Sequence, residues 1–345
     1  MDAGALPPCA RTFPRELMHA AVPRVKIDLR LSICDCSVSS ETGRRVYPLP
    51  RTMHLREGEA KGMKRLWVLL ILGVSPASAA DLAPALKLYQ HTDYRSSLKL
   101  LTADPSPDAE NYALMGKNLY MLGEYKKATE AFQKADALQP NRSEYVHWLG
   151  RTYGRRAETG NPLLASGNAN KARQYFERAV ELDPKNDEAL NDLFDYYLQA
   201  PGFLGGGVDK AEALARKIEA ISPAEYYFAQ AQLSDKKKQY DKAEEQLRRA
   251  MALAPRQAGR VIDLAKYLAK RGRYQESDAT FQQADKLAPG SPKVMFEKAQ
   301  SFIQTKRNLD QARVLLEKYL RSDLRPDDPS KDEARKLLKQ VSAGA

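Results

Sequence analysis

The chain has 345 residues, 43% of them hydrophobic, and a formal charge of +11. From residue 66 onward the net is only +6, and bases are interleaved with acids, as where Lys236–Lys238 is followed by Asp241, Glu244 and Glu245. No basic stripe of the kind nucleic acid requires is present, which sets that class of partner aside. The three cysteines, Cys9, Cys34 and Cys36, all precede residue 62, and His19 and His54 are too scattered to complete a four-ligand metal site with them.

Residues 1–62 hold no sustained helical or strand period beyond a short alternation around Val25–Ile33. Met63-Lys64-Arg65, the apolar run Leu66–Val74 and an Ala77-x-Ala79 ending come next. A positive start, an apolar core too short for a bilayer and small terminal residues are the parts of a secretory signal peptide. The expectation is a leader over 63–79 cleaved after Ala79, with translation starting at Met63 and 1–62 a disordered or mis-assigned upstream segment. The mature protein is then expected in the periplasm or outside the cell, without a membrane span.

From Ala80 the pattern is helical throughout. Asp81–Gln90 and Tyr94–Leu101 predict a short hairpin, so that 80–108 forms an N-terminal capping helix pair. Ala109–Pro140 predicts helix, turn at Leu122–Gly123, second helix and stop, with Leu114, Met115, Gly116, Leu119, Ala128, Phe132 and Ala135 as its buried positions. One such hairpin cannot bury its apolar face alone, so it must be a unit of a stack. A second unit carries Leu149-Gly150-x-x-Tyr153, Ala172-x-x-x-Phe176, Ala179 and Pro184, and weaker copies run to about residue 323. A last helix near Asp328–Val341 places Ala334, Leu337, Leu338 and Val341 on one face, and 324–345 reads as the closing cap.

The order Leu-Gly-x-x-Tyr, Ala-x-x-x-Phe, Pro resembles the tetratricopeptide repeat, in its exported bacterial form. The resemblance spans 109–323 as about six repeats. It implies an all-α fold, an α-solenoid of stacked antiparallel helix pairs wound into a right-handed superhelix.

Prolines at 140, 184, 223, 255 and 289 are spaced 44, 39, 32 and 34, so two units exceed the family period of 34. The excess is expected in the turns between paired helices, at Glu158–Gly167 and Ala200–Gly207, as neighbouring insertions on one edge. Pro201 should end the preceding helix, Gly205, Gly206 and Gly207 should relax the backbone, Asp209 should cap the next helix, and Phe203 completes the loop. Gly202-x-x-Gly205-Gly206-Gly207-x-x-Lys210 lacks the Lys-Ser/Thr pair and the preceding strand of a phosphate cradle and reads as a loop.

After residue 80 the chain has two histidines, His91 and His147, in different units, and no cysteine. No His-Glu-x-x-His, Gly-x-Ser-x-Gly or Walker motif occurs, so no enzyme, metal or cofactor is expected. The resemblance implies a concave groove lined by the first helix of each unit. Carried over position by position, it implies groove residues Lys117, Tyr120, His147, Arg151, Asn191, Asp195, Gln232, Lys266 and Lys270. Their donors suit an acidic or extended peptide. Glu110 and Ala113 stand where the family's carboxylate clamp needs basic or amide residues, which argues against a chaperone-tail receptor. The expected role is a scaffold or adaptor binding a protein or peptide partner in the cell envelope. The alternative is an accessory subunit of a polysaccharide or secretion machine that makes contact through its Gly-rich insertions.

Overall fold

Position four of six of the seven second helices is small, because there the two helices of a pair approach most closely, and in the lengthened second helix Ala165–Leu182 the equivalent residue is Ala172 at 0% exposure. Ala128, Ala211, Ala243 and Ala312 occupy it at 0% exposure, and Ser97 and Ser277, equally buried, replace Ala in two units. Each of those serines donates its hydroxyl to a carbonyl of the partner helix, Ala85 and Ala265, at 2.8 Å. A buried hydroxyl is tolerated because it is bonded.

The computed structural model describes residues 82–343. The expected leader over 63–79 and the segment 1–62 with its cysteines lie outside them. The described residues are helical throughout. The first pair is α1 (Ala83–Gln90) and α2 (Tyr94–Thr102), and the second α3 (Ala109–Met121) and α4 (Tyr125–Leu138). Next come α5 (Ser143–Thr159) with α6 (Ala165–Leu182), and α7 (Asp187–Gln199) with α8 (Val208–Glu219). They are followed by α9 (Pro223–Lys236) with α10 (Tyr240–Leu253), and α11 (Ala258–Lys270) with α12 (Tyr274–Leu287). The last pair, α13 (Pro292–Gln304) and α14 (Leu309–Arg321), is covered by α15 (Lys331–Ala343). Each helix packs on its partner and on the next pair, which is an α-solenoid. On α15, Ala334 and Val341 are buried and Leu337 and Leu338 pack beside them on the α13–α14 core, while Arg335, Lys336 and Lys339 face out.

Glycine sets the spacing inside two pairs. A Cβ on Gly116 would stand 2.7 Å from the Phe132 ring, and one on Gly150 2.5 Å from the Phe176 ring. Five of the seven pairs also share one turn. The second residue past the first helix is left-handed, and the next amide reaches back five residues, as from Glu124 to Leu119, Gln239 to Ser234, and Arg273 to Leu268. Gly123 and Gly272 adopt that conformation freely at φ 78° and 77°, whereas Thr92, Lys238 and Lys306 hold it with a Cβ. Gly272→Ala should cost about 1 kcal/mol and Lys238→Gly should gain about 0.5 kcal/mol in urea melts. Shifts of the same sign for both would refute this account of the turn.

The two pairs without that turn are the long ones. The first excess is mostly helix. Glu158 and Thr159 finish α5, Ala165–Gly167 begin α6, and only residues 160–164 connect them, through a single 3-10 turn at Pro162–Leu164. This corrects the expected ten-residue turn insertion. Ala157 and Ala169 are buried, so lengthening both helices adds core, and Glu158 is tied to Arg155 at 2.7 Å. The second excess is a bracket around the 3-10 turn Gly202–Leu204. Tyr196 donates its hydroxyl to the Leu204 carbonyl at 2.9 Å, the Gly207 amide donates to Tyr197 O at 2.8 Å, and Lys210 Nζ donates to Gly205 O at 2.9 Å. Gly207 is the N-cap of α8, so Asp209 sits within the first turn and contributes through the helix dipole instead of capping. The bracket rests on α6, where a Cβ on Gly205 would meet Arg173 at 2.7 Å. Arg173 lies six residues beyond Gly167, roughly 9 Å along the helix, so the two insertions share one edge.

A Cβ on Gly206 would fall 1.8 Å from the Ala200 carbonyl oxygen, whereas one on Gly207 meets nothing closer than 3.9 Å, the Lys210 side chain. Gly206→Ala should therefore destabilise by at least about 2 kcal/mol and Gly207→Ala by less than about 0.5 kcal/mol, measured by thermal melts. Equal effects would contradict the bracket geometry.

Candidate functional site

First helices of successive pairs touch, α3 with α5, α7 with α9 and α11 with α13. Their polar side chains meet across those contacts as a ladder, and all nine groove residues named from sequence lie in or beside it. Lys117 on α3 donates to Glu144 Oε1 on α5 at 2.7 Å. Its ammonium also stands 5.7 Å from the Trp148 ring centroid. Tyr120 packs edge-on against Trp148 and Tyr125, and burial pushes its hydroxyl up to about 12.

His147 and Arg151 are buried rather than presented to solvent, at 2% and 8% exposure. His147 Nε2 and Asp192 Oδ2 on α7 are 2.7 Å apart. Arg151 shares Asp192, with Nε 3.5 Å from the same oxygen, and lies 3.6 Å from Glu188. Its guanidinium sits 4.6 Å from the Trp148 centroid. Both residues therefore hold α5 to α7 and are not free donors for a ligand.

Asn191, Asp195 and Gln232 converge. With Glu225, Phe194, Phe228 and Ala229 they line a cleft between α7 and α9 of about 10 Å³, close to the space that seats one water. Burial pushes the Asp195 carboxyl up to about 8, with Asp192 and Glu225 adding like-charge repulsion and a hydrogen bond from Gln232 opposing it. On the next step Glu225 faces Arg260 at 3.4 Å, and Arg260 also reaches Asp263 at 3.4 Å and lies 4.3 Å from the Phe228 centroid. Lys266 pairs with Glu297 on α13 at 2.5 Å, and Lys270 with Asp235 on α9 at 2.6 Å.

Sequence reasoning missed Glu188, Asp192, Glu225, Arg260 and Trp148. The signal for two of them was present: Glu188, Asp192 and Asp195 fall at i, i+4 and i+7, one acidic stripe on α7. Among the insertion residues, Gly205, Gly206, Gly207 and Pro201 shape the bracket, while Phe203 stands at its tip, 79% exposed, with Leu163 and Leu164 at 87% and 59% on the other insertion. Among the described residues no group of His, Cys, Asp and Glu could hold a metal ion, and no helix is long and apolar enough to cross a membrane.

The tetratricopeptide repeat family model matches residues 109–142, 163–186 and 224–257, that is α3–α4, α6 and α9–α10. A tetratricopeptide repeat protein from Parabacteroides merdae superimposes over 76% of this chain and 97% of its own, with a TM-score of 0.50 and 17% identity. Two curated relatives are described as BBSome complex member BBS4, from Mus musculus (29% identity, 26% of this chain, 22% of the relative), and its homolog from Drosophila melanogaster (27% identity, 45% and 25%). The chain thus spans about a quarter of the length of the curated relatives it matches. The paired helices and their Gly–Phe contacts accord with these matches: three segments of the chain match the tetratricopeptide repeat model, and its helix-pair solenoid is the fold of the Parabacteroides merdae protein.

Proposed function

We propose that this chain is a non-enzymatic scaffold of the bacterial cell envelope that holds a peptide or protein partner along the inner face of its first helices. The observation that carries the reading is the polar ladder from α3 to α13, opened at Asn191–Gln232 by a cleft. Such a face can read an extended segment through side-chain pockets at repeat spacing. The matched relatives are named as members of a complex, which supports a partner-binding role. The leader pattern over Met63–Ala79 supports export.

A second reading has its own support. Leu163, Leu164 and Phe203 are exposed on the insertion edge. Exposed large apolar groups on rigid loops suit a contact with an accessory machine through that edge. A photo-crosslinking residue placed at Asn191, and separately at Phe203, separates the two in the source cells. Adducts at Asn191 are the expected result. Adducts at Phe203 alone move the contact to the edge, and adducts at neither position defeat both readings. Mass spectrometry of the native protein tests export, with a mature N-terminus at Ala80 expected and any peptide from 1–62 contradicting the upstream-segment reading.

A further inference from the structure

The inner face holds more acid than its own cations neutralise. Lys117, Lys266 and Lys270 are each matched one-to-one by Glu144, Glu297 and Asp235. Between those pairs, on α5, α7, α9 and α11, two guanidiniums stand among five carboxylates. Arg151 is shared by Asp192 and Glu188, and Arg260 by Glu225 and Asp263. Lys266 and, on α13, Lys293 also act on Asp263. The fifth carboxylate, Asp195, has no cation beside it among the described residues. The groups acting on it are the Gln232 amide and two more carboxylates, Asp192 on its own helix and Glu225 on α9. This acidic strip runs through a chain whose overall charge is positive.

We infer that the inner face takes a lysine-bearing segment of the partner, with one side-chain ammonium seated at Asp195 between Asn191 and Gln232. The inference rests on the groove reading and replaces the acidic peptide expected from sequence, because the donors that suggested it are already paired. The seat combines the Asp195 carboxylate with the Asn191 and Gln232 amide side chains, three residues that line one cleft. Its size favours a compact ammonium that displaces a water over a planar guanidinium. The face of Phe228 is already taken by Arg260. An arriving ammonium replaces the proton that burial keeps on Asp195. Binding below pH 8 therefore releases a proton, and affinity rises with pH up to about 8. The neighbours that face this carboxyl are Asp192, in contact with His147 and Arg151, and Glu225, in contact with Arg260.

Fluorescein-labelled deca-lysine, deca-arginine and deca-glutamate titrated into the purified chain by anisotropy at pH 8 test this. Deca-lysine is expected to bind at least tenfold more tightly than deca-glutamate and more tightly than deca-arginine. Asp195→Asn, which keeps the side-chain shape, should weaken deca-lysine about tenfold, and Glu245→Gln, at an exposed acid on the second helix α10 that pairs with Arg249, less than twofold. Calorimetry at pH 7 in two buffers should show a proton released by the wild type and none by Asp195→Asn. Unchanged deca-lysine affinity in Asp195→Asn overturns the seat, and a preference for deca-arginine does the same. A preference for deca-glutamate overturns the charge inference while leaving the groove reading standing. Binding of none of the peptides overturns the inference, and an absence of adducts at Asn191 would then overturn the groove reading as well.

Discussion

Asp192→Ala is expected to destabilise the α5–α7 contact by about 3–5 kcal/mol, the range for removing one partner of a buried ion pair. Asp192 is 4% exposed and is the shared anion for two buried groups, hydrogen-bonded to the His147 imidazole at 2.7 Å and ion-paired with the Arg151 Nε at 3.5 Å. Without it, Arg151 keeps only Glu188, which is half exposed and 3.6 Å away, and His147 keeps only that same carboxylate at 3.9 Å. The Trp148 ring face cannot replace a carboxylate for a guanidinium removed from water. Most of the loss reflects the stranded cation, so Arg151→Met on top of Asp192→Ala should recover at least half of it. Urea denaturation followed by circular dichroism reads the total, and hydrogen exchange should place the loss in α5 and α7. A loss under about 1 kcal/mol, or one spread evenly over all pairs, would show that the ladder is not a structural joint.

The second large effect depends on pH. Burial raises the Asp195 carboxyl to about 8 in the folded chain, against about 3.9 for an unfolded aspartate. A raised acid binds its proton more tightly when folded, so its contribution to stability is greatest at low pH. That contribution falls as pH rises from about 4 to about 8 and is constant above. Asp195→Asn removes the titration. The variant should match the wild type near pH 4 and exceed its stability at pH 8 by on the order of 2–4 kcal/mol. Melting curves at unit pH steps check this, and parallel profiles for the two proteins would contradict it. The wild type retains a carboxyl that destabilises its own groove near pH 8, which is the pattern of a group held for a ligand rather than for the fold.

The fold was legible because its signals are local. Gly116 with Phe132, and Gly150 with Phe176, lie within one hairpin, and the small residue at position four recurs in every pair but the one whose second helix is lengthened at its start. The excess in two units was visible from proline spacing, but its form was not. Glu158–Thr159 and Ala165–Gly167 contain nothing that breaks a helix, so they extended α5 and α6, whereas Pro201 and the three glycines at 205–207 did force a loop. The groove was legible by position and not by chemistry. His147 and Asp192 are 45 residues apart, Lys270 and Asp235 are 35, and Lys266 and Glu297 are 31. Those separations bracket the repeat period without equalling it, so pairing across helices was hidden, and cations already neutralised read as free donors.

The most direct test of the inner face as the binding surface is hydrogen exchange of the full chain with and without saturating deca-lysine at pH 8. The account predicts added protection in α7 and α9, centred on residues 191–195 and 225–232. Protection confined to 160–164 and 200–207 would contradict it.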